Sequence, residues 1–371
     1  MKKSLLFFAS TALFFAACSS NDTFKEVNED VAIGFSNNYV GKATKAEITT
    51  ANITGSSFGV YGYKYREGAT NPATVQLFSN EQVTYTNNDW THANVRYWDK
   101  SVVAADLSDD TDYNGYYFYA YVPYNASASF ARTGSTNGFT YPLQAVFADA
   151  ANDAVDLCVA RAENITFTTC NTYDNTITTH NAAHVAFIFN HVLSKLAFKV
   201  KTEGFDSDYI VTIKKLNIAF PTATSIKWTQ TAKGADAGTI SYDNNQNTST
   251  LTQPADLTNK QSVFDGSQVV STAANNTAAV LSGAKNYIVT PNVSSSQNHT
   301  MQLEVIYELN YNDANSTTEQ QIATGTAEIN FVQNYFYYLV VNIKPTEIRF
   351  DVDRVEGFTP ADADSGPFDV L

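Results

Sequence analysis

Apolar residues alternate with polar ones in many short runs separated by loops rich in Asn, Thr, Asp and Gly, and Ala/Leu/Glu/Lys-rich helical runs are missing. Val31, Ile33 and Phe35 hold alternate positions in Val31-Ala32-Ile33-Gly34-Phe35, the spacing of a half-buried strand. Phe58 to Tyr65 alternates strongly, with Gly59 and Gly62 placed where another backbone can come close. Tyr116 to Tyr124 is apolar on both faces, which predicts a central strand ended by Pro123. From Lys195 on, Leu196, Phe198 and Val200 share one face, while Lys195, Lys199 and Lys201 flank Ala197 on the other. Tyr209 to Phe220 alternates with a switch of parity at Lys214-Lys215, which predicts a β-bulge. Residues 229–277 read as long hairpins and surface loops; strands at 301–305, 335–343 and 348–352 complete the set.

Many short strands with turn signals between them predict sandwiches, and 371 residues suffice for two. The polar stretch 171–183 separates an expected N-terminal sandwich, 46–183, from a C-terminal one, 184–371.

The first residues follow a different pattern. Met1-Lys2-Lys3 and the apolar run Leu5 to Ala17 read as a secretory signal over 1–17, too short to span a bilayer. Ending at Ala16-Ala17-Cys18 it resembles a bacterial lipobox, so Cys18 is the expected lipidated residue and lipid the sole anchor. Further on, Gly41-Lys42-Ala43-Thr44-Lys45-Ala46-Glu47 is small, polar and basic, an exposed loop that a trypsin-like protease can enter. Residues 18–45 thus read as a lipidated, cleavable segment carrying the first strand, cut between Lys45 and Ala46.

Composition sharpens this picture: 24 Phe and 22 Tyr suit pleated surfaces, and a net charge of −14 without a basic cluster repels phosphate backbones and anionic membranes. Nucleic acid is excluded as a partner. Cys158, in Asp156-Leu157-Cys158-Val159-Ala160, reads as a small hydrophobe in a buried strand; with Cys170 it is read as two free thiols, although the compartment allows a disulfide.

Catalytic motifs are missing: there is no Gly-x-Ser-x-Gly elbow, His-Glu-x-x-His, phosphate loop or Cys-x-x-Cys. The chain is therefore read as no enzyme and as needing no cofactor. Asp110, Asp112 and Asn114 before Gly115 match the opening of a calcium loop, but Tyr121 stands where the bidentate acid belongs, and Asn-Gly is an ordinary hairpin signal. His180 and His184 lie about 13 Å apart if the segment is a strand, too far for one ion. His191 is read as satisfying hydrogen bonds at a strand start, so no metal site is expected. Trp90, Trp98 and Trp228 could stack a sugar, but Trp98 follows Tyr97 in a strand-like run and is read as core.

Taken in order, these pieces resemble one family, the fimbrillins, subunits of type V pili of Gram-negative bacteria. The matching stretches are Phe15-Ala16-Ala17-Cys18, the Val31/Ile33/Phe35 strand before Lys42-Ala43-Thr44-Lys45-Ala46, and Phe58-Gly59-Val60-Tyr61-Gly62-Tyr63. They continue with Phe118 to Tyr124, Asp156 to Ala160, His191-Val192-Leu193-Ser194-Lys195-Leu196-Ala197-Phe198, Ile348-Arg349-Phe350 and Val355-Glu356-Gly357. The resemblance implies an all-β fold of two transthyretin-like Greek-key β-sandwich domains in tandem. It also implies a lipoprotein precursor, acylated at Cys18 by groups such as palmitate and carried to the outer membrane, then a cell-surface fimbrium used for adhesion. In that family an Arg- or Lys-specific protease removes the first strand, and a neighbouring subunit's C-terminal strand fills the groove. The implied partners are like or related pilus subunits, outer-membrane lipid before cleavage, that protease and a host or bacterial surface receptor. This chain carries Lys42 and Lys45 where Arg is often found, and Phe358 where an aromatic, often Trp, is expected.

The physics of such an exchange is independent of the family. Loss of Val31, Ile33 and Phe35 opens a groove worth about 1.5–3 kcal/mol per large side chain and frees backbone groups that recruit another strand. Ile348, Phe350 and Val352 have the period-2 pattern of a donor, apolar in and charges out; the same pattern suits the last strand of the chain's own sandwich. The alternatives are an uncleaved surface lipoprotein holding glycan or host protein, a pilus anchor, or, last, a glycan-degrading enzyme, whose carboxylate pair about 5–10 Å apart is not seen.

Overall fold

The alternating runs form strands in the computed structural model, which describes residues 32–40, 48–65, 74–98, 115–133, 136–143, 145–151, 154–165, 184–223, 226–232, 239–242, 251–270, 272, 277–292, 298–311, 318–345 and 348–355. In chain order they are β1 (Gly34–Val40), β2 (Phe58–Tyr65), β3 (Thr74–Thr86), β4 (Asp89–His92), β5 (Gly115–Val122), β6 (Ser129–Thr133) and β7 (Thr136–Leu143). Next come β8 (Phe147–Asp149), β9 (Cys158–Ile165), β10 (His184–His191), β11 (Ser194–Thr202), β12 (Tyr209–Ala219), β13 (Ile226–Ala232) and β14 (Thr239–Tyr242). The last are β15 (Gln261–Val270), β16 (Ala279–Val280), β17 (Tyr287–Val289), β18 (His299–Tyr311), β19 (Glu319–Ile329), β20 (Phe336–Ile343) and β21 (Ile348–Val355).

These strands pair into four sheets: β1-β10-β9-β5-β2-β3-β4; β14-β13-β7-β6; β21-β20-β11-β17-β8, with β16 also on β11; and β15-β12-β18-β19. The fold is all-β. Tyr117, Tyr119 and Tyr121 on one face of β5 belong to one core, and Tyr116, Phe118, Ala120 and Val122 on the other face belong to a second. Being buried on both sides, β5 is the central strand that its unbroken apolar run predicts. The Tyr face packs on the β7 sheet, with Phe139 4.6 Å from Tyr119 and 5.0 Å from Tyr121 between ring centroids. Two buried hydroxyls of this core find acceptors: Tyr61 of β2 donates to the Ala128 carbonyl at 2.7 Å and Tyr121 of β5 to the Asn125 carbonyl at 2.9 Å. In the later half, Leu196, Phe198 and Val200 of β11 and Leu339 and Val341 of β20 share the first core with Val211, Ile213, Leu216 and Ile218 of β12 and Leu303 and Val305 of β18.

The parity switch in β12 is a register shift between Ile213 and Lys215, present against both β15 and β18. One expectation needs correcting. Gly59 and Gly62 make room for rings rather than backbone: a Cβ at Gly59 would meet the Tyr121 ring, and one at Gly62 the Phe78 and Phe118 rings. On the lysine face of β11, Lys195 and Lys199 are buried against aromatic rings of β20, Lys199 lying 4.0 Å from the Tyr338 ring centroid.

Residues 31–371 cluster as one compact unit, and the preceding residues lie outside the described part. The expected boundary at 183/184 falls directly before β10, which pairs with β9 and β1, so the seven-stranded sheet draws on both sides of it. Strands also cross in the other direction, since β13 pairs with β7 and β8 with β17.

Candidate functional site: the groove filled by the first strand

β1 runs parallel to β10, with Gly34 opposite His184, Phe35 opposite Val185 and Val40 opposite Phe189. Its other side meets the residues after β4, at the far end of the same sheet. There Ala32 bridges Tyr97, the Ile33 N–H donates to the Arg96 carbonyl at 2.8 Å, and His92 Nε2 lies 3.1 Å from the Ile33 carbonyl oxygen. The first strand therefore joins the two ends of the sheet, which rolls around the second core. Glu81 fixes the turn on that far side. Its carboxylate, 5% exposed, accepts from the Ala93 N–H at 3.0 Å and the Asn94 N–H at 2.9 Å.

Ile33 and Phe35 point into the roll and are fully buried. The Phe35 ring stacks on Phe187 at 5.8 Å and meets Phe78 at 5.2 Å and Phe118 at 5.7 Å edge to face. Two such side chains contribute about 3–6 kcal/mol of burial. Gly34 between them lets β1 lie close, for a Cβ there would run into the His184 ring.

Ile48 is the first residue described after β1. Its backbone N–H donates to Asp156 Oδ2 at 3.1 Å, while Asp156 Oδ1 lies 2.8 Å from His191 Nδ1 and Cys158 Sγ lies 3.2 Å from that same nitrogen. Burial opposes charge on His191, but the Asp156 carboxylate and Cys158 beside it hold its pKa well above the usual histidine value.

At the opposite end of the chain, β21 pairs antiparallel with β20, from Ile348 opposite Ile343 to Val355 opposite Phe336, and is also an edge strand. Its Arg349, Asp351, Val352 and Asp353 side chains are exposed, and Lys201 reaches Asp351 at 3.7 Å. Val352, read as inward, is 38% exposed.

Of the residues singled out in the sequence, Ile33 and Phe35 come together in the groove. Cys18, Val31, Lys45, Ala46, Asp110, Asp112, Asn114, Cys170 and His180 lie outside the described residues, as do the side chains of Ile348 and Phe350. Cys158 is a buried free thiol, and His191 is the last residue of β10. Trp90, Trp98 and Trp228 are all buried, so none offers a sugar platform. Sequence reasoning missed Glu81, His92 and the meeting of Asp156 with His191; Asp156 and His191 stood inside noted motifs, but only strand pairing brings them together.

No family model matches the chain. It is 25% identical over 405 aligned residues to fimbrium subunit Fim1C of Phocaeicola vulgatus, covering 98% of each chain. Among solved structures it is similar to a fimbrial protein from Bacteroides vulgatus, with a TM-score of 0.54 at 17% identity, over 88% of this chain and 99% of that one. The second likeness bears on the fold alone. The resemblance to fimbrillins read from the sequence is borne out by the first, which runs from end to end.

Proposed function

We propose that this chain is a structural subunit of a surface fimbria serving adhesion, assembled by exchange of its first strand. The observation that carries the reading is the groove itself: Ile33 and Phe35 fill a core slot whose two walls, β10 and residues 92–97, are joined through β1. On this reading Cys18 is acylated and holds the precursor on the outer membrane. An Arg/Lys-specific protease cuts between Lys45 and Ala46, the strand from Val31 leaves, and a strand of a related subunit's C-terminal region, equivalent to Ile348–Val355, takes its place. An emptied groove exposes apolar side chains and the unpaired backbone groups of β10, which an incoming strand satisfies together. The chain is then the substrate of lipidating and proteolytic enzymes and performs no chemistry of its own. Its four sheets serve as two sandwiches, the first plugged by β1 and the second carrying β21.

The test is the N-terminus and oligomeric state of the protein recovered from its native cell surface. A start at Ala46 with a denaturant-resistant ladder supports the polymerising subunit. A lipidated Cys18 without a ladder contradicts it and favours the uncleaved lipoprotein or anchor.

A further inference from the structure

Apart from the walls of the groove, the described residues bring together one cluster of metal-ligand type: Asp156, Cys158 and His191, whose ligand atoms all lie within 4.8 Å of one another. All three residues are buried, at 4%, 0% and 1% exposure. The pairing of β9 with β10 sets His191 directly opposite Cys158, and Asp156 precedes Cys158 by two residues. A carboxylate oxygen and a thiol sulfur therefore converge on a single imidazole nitrogen, at 2.8 and 3.2 Å. That nitrogen holds at most one proton, and a thiol is only a weak donor and a weak acceptor.

We propose that Asp156 Oδ1, Cys158 Sγ and His191 Nδ1 form a binding site for a divalent transition ion of the zinc class. One oxygen, one sulfur and one nitrogen make a donor set that such borderline-soft ions accept, and bonds of about 2.0–2.3 Å require the three atoms to part only slightly. The charges balance: a dication, a carboxylate, a thiolate and a neutral imidazole sum to zero in a buried site. Binding releases the thiol proton, and any proton on Nδ1, to solvent. The Ile48 N–H on Asp156 Oδ2 leaves Oδ1 facing the sulfur and nitrogen, the kind of outer contact that orients a ligating carboxylate. This site does not depend on the fimbrial reading.

The test uses the full chain with its thiols reduced, dialysed against Zn²⁺ or Co²⁺. The expected result is one ion per chain and, with Co²⁺, a sulfur-to-metal charge-transfer band in the near ultraviolet. Cys158→Ser should abolish the band and weaken binding at least about tenfold, while Cys170→Ser changes neither. Failure to bind one ion, or a band that survives Cys158→Ser, overturns the proposal. Should Cys158→Ser not fold, alkylation of the wild-type chain mapped by mass spectrometry decides. Zn²⁺ but not Mg²⁺ must slow modification of Cys158, and equal rates with both ions overturn the site.

Discussion

The two edge strands β1 and β21 are nearly equal in length, seven and eight residues, yet their described side chains differ in burial. β1 and the residue before it are anchored by buried side chains, with Ile33 and Phe35 at zero exposure inside an aromatic cluster. Of β21, the four described side chains, Arg349, Asp351, Val352 and Asp353, are exposed, and its backbone pairs with β20 along its length. A strand that fills a core leaves a shaped groove behind, whereas a strand held by its ladder leaves an intact sandwich. On the proposed strand exchange, β1 is the plug and β21 the counterpart of the donor.

The largest effect should come from Phe35→Ala. Removing a fully buried ring from a packed cluster costs about 3–5 kcal/mol, read as a drop in the denaturation midpoint. A loss below about 1 kcal/mol would put β1 on the same footing as β21.

The next effect, set by acid, falls in the first core, away from β1. His299, at the start of β18, is buried between Phe147 and Phe331, and burial pushes its pKa down to about 3. The unfolded chain takes up this proton near pH 6.5 and the folded chain does not. The stability that a neutral His299 confers is therefore complete above pH 6.5 and falls by about 1.4 kcal/mol per unit as pH drops toward 3. His299→Phe should flatten that slope in hydrogen exchange of β18 amides, and an unchanged slope would assign it to other groups.

A smaller effect, about 1 kcal/mol, is expected for Gly34→Ala, because the His184 ring must turn away to admit the new methyl group. It should speed exchange of the Ile33 amide without touching β21. Smallest of all, Val352→Ala on exposed β21 should change stability by less than about 0.5 kcal/mol. A loss comparable to that of Phe35→Ala would remove the contrast between the strands.

The strand set was legible because its patterns are local: the alternation of Phe58 to Tyr65, the unbroken apolar run of Tyr116 to Val122 and the switch at Lys214-Lys215 each announce themselves within a dozen residues. The inward side chains of β1 were readable for the same reason. What alternation does not carry is pairing. Nothing local says that β10 lies beside β1 rather than opening a second sheet, that the residues after β4 meet Ala32, or that Asp156 reaches His191. Nor does alternation show that the lysine face of β11 is covered by the Phe336 and Tyr338 rings of β20, about 140 residues away.

The most direct test of β1 as a replaceable plug is made on purified protein cut at Lys45. The cut chain is mixed with a synthetic peptide of residues 348–355 or a scrambled control, then followed by native mass spectrometry and by hydrogen exchange of β10. The expected result is that the cut chain releases the β1 fragment and takes up one native-sequence peptide, with β10 amides protected again, while uncut chain takes up none. A cut chain that keeps its β1 fragment in the presence of peptide, or that binds scrambled and native peptides alike, would contradict strand exchange.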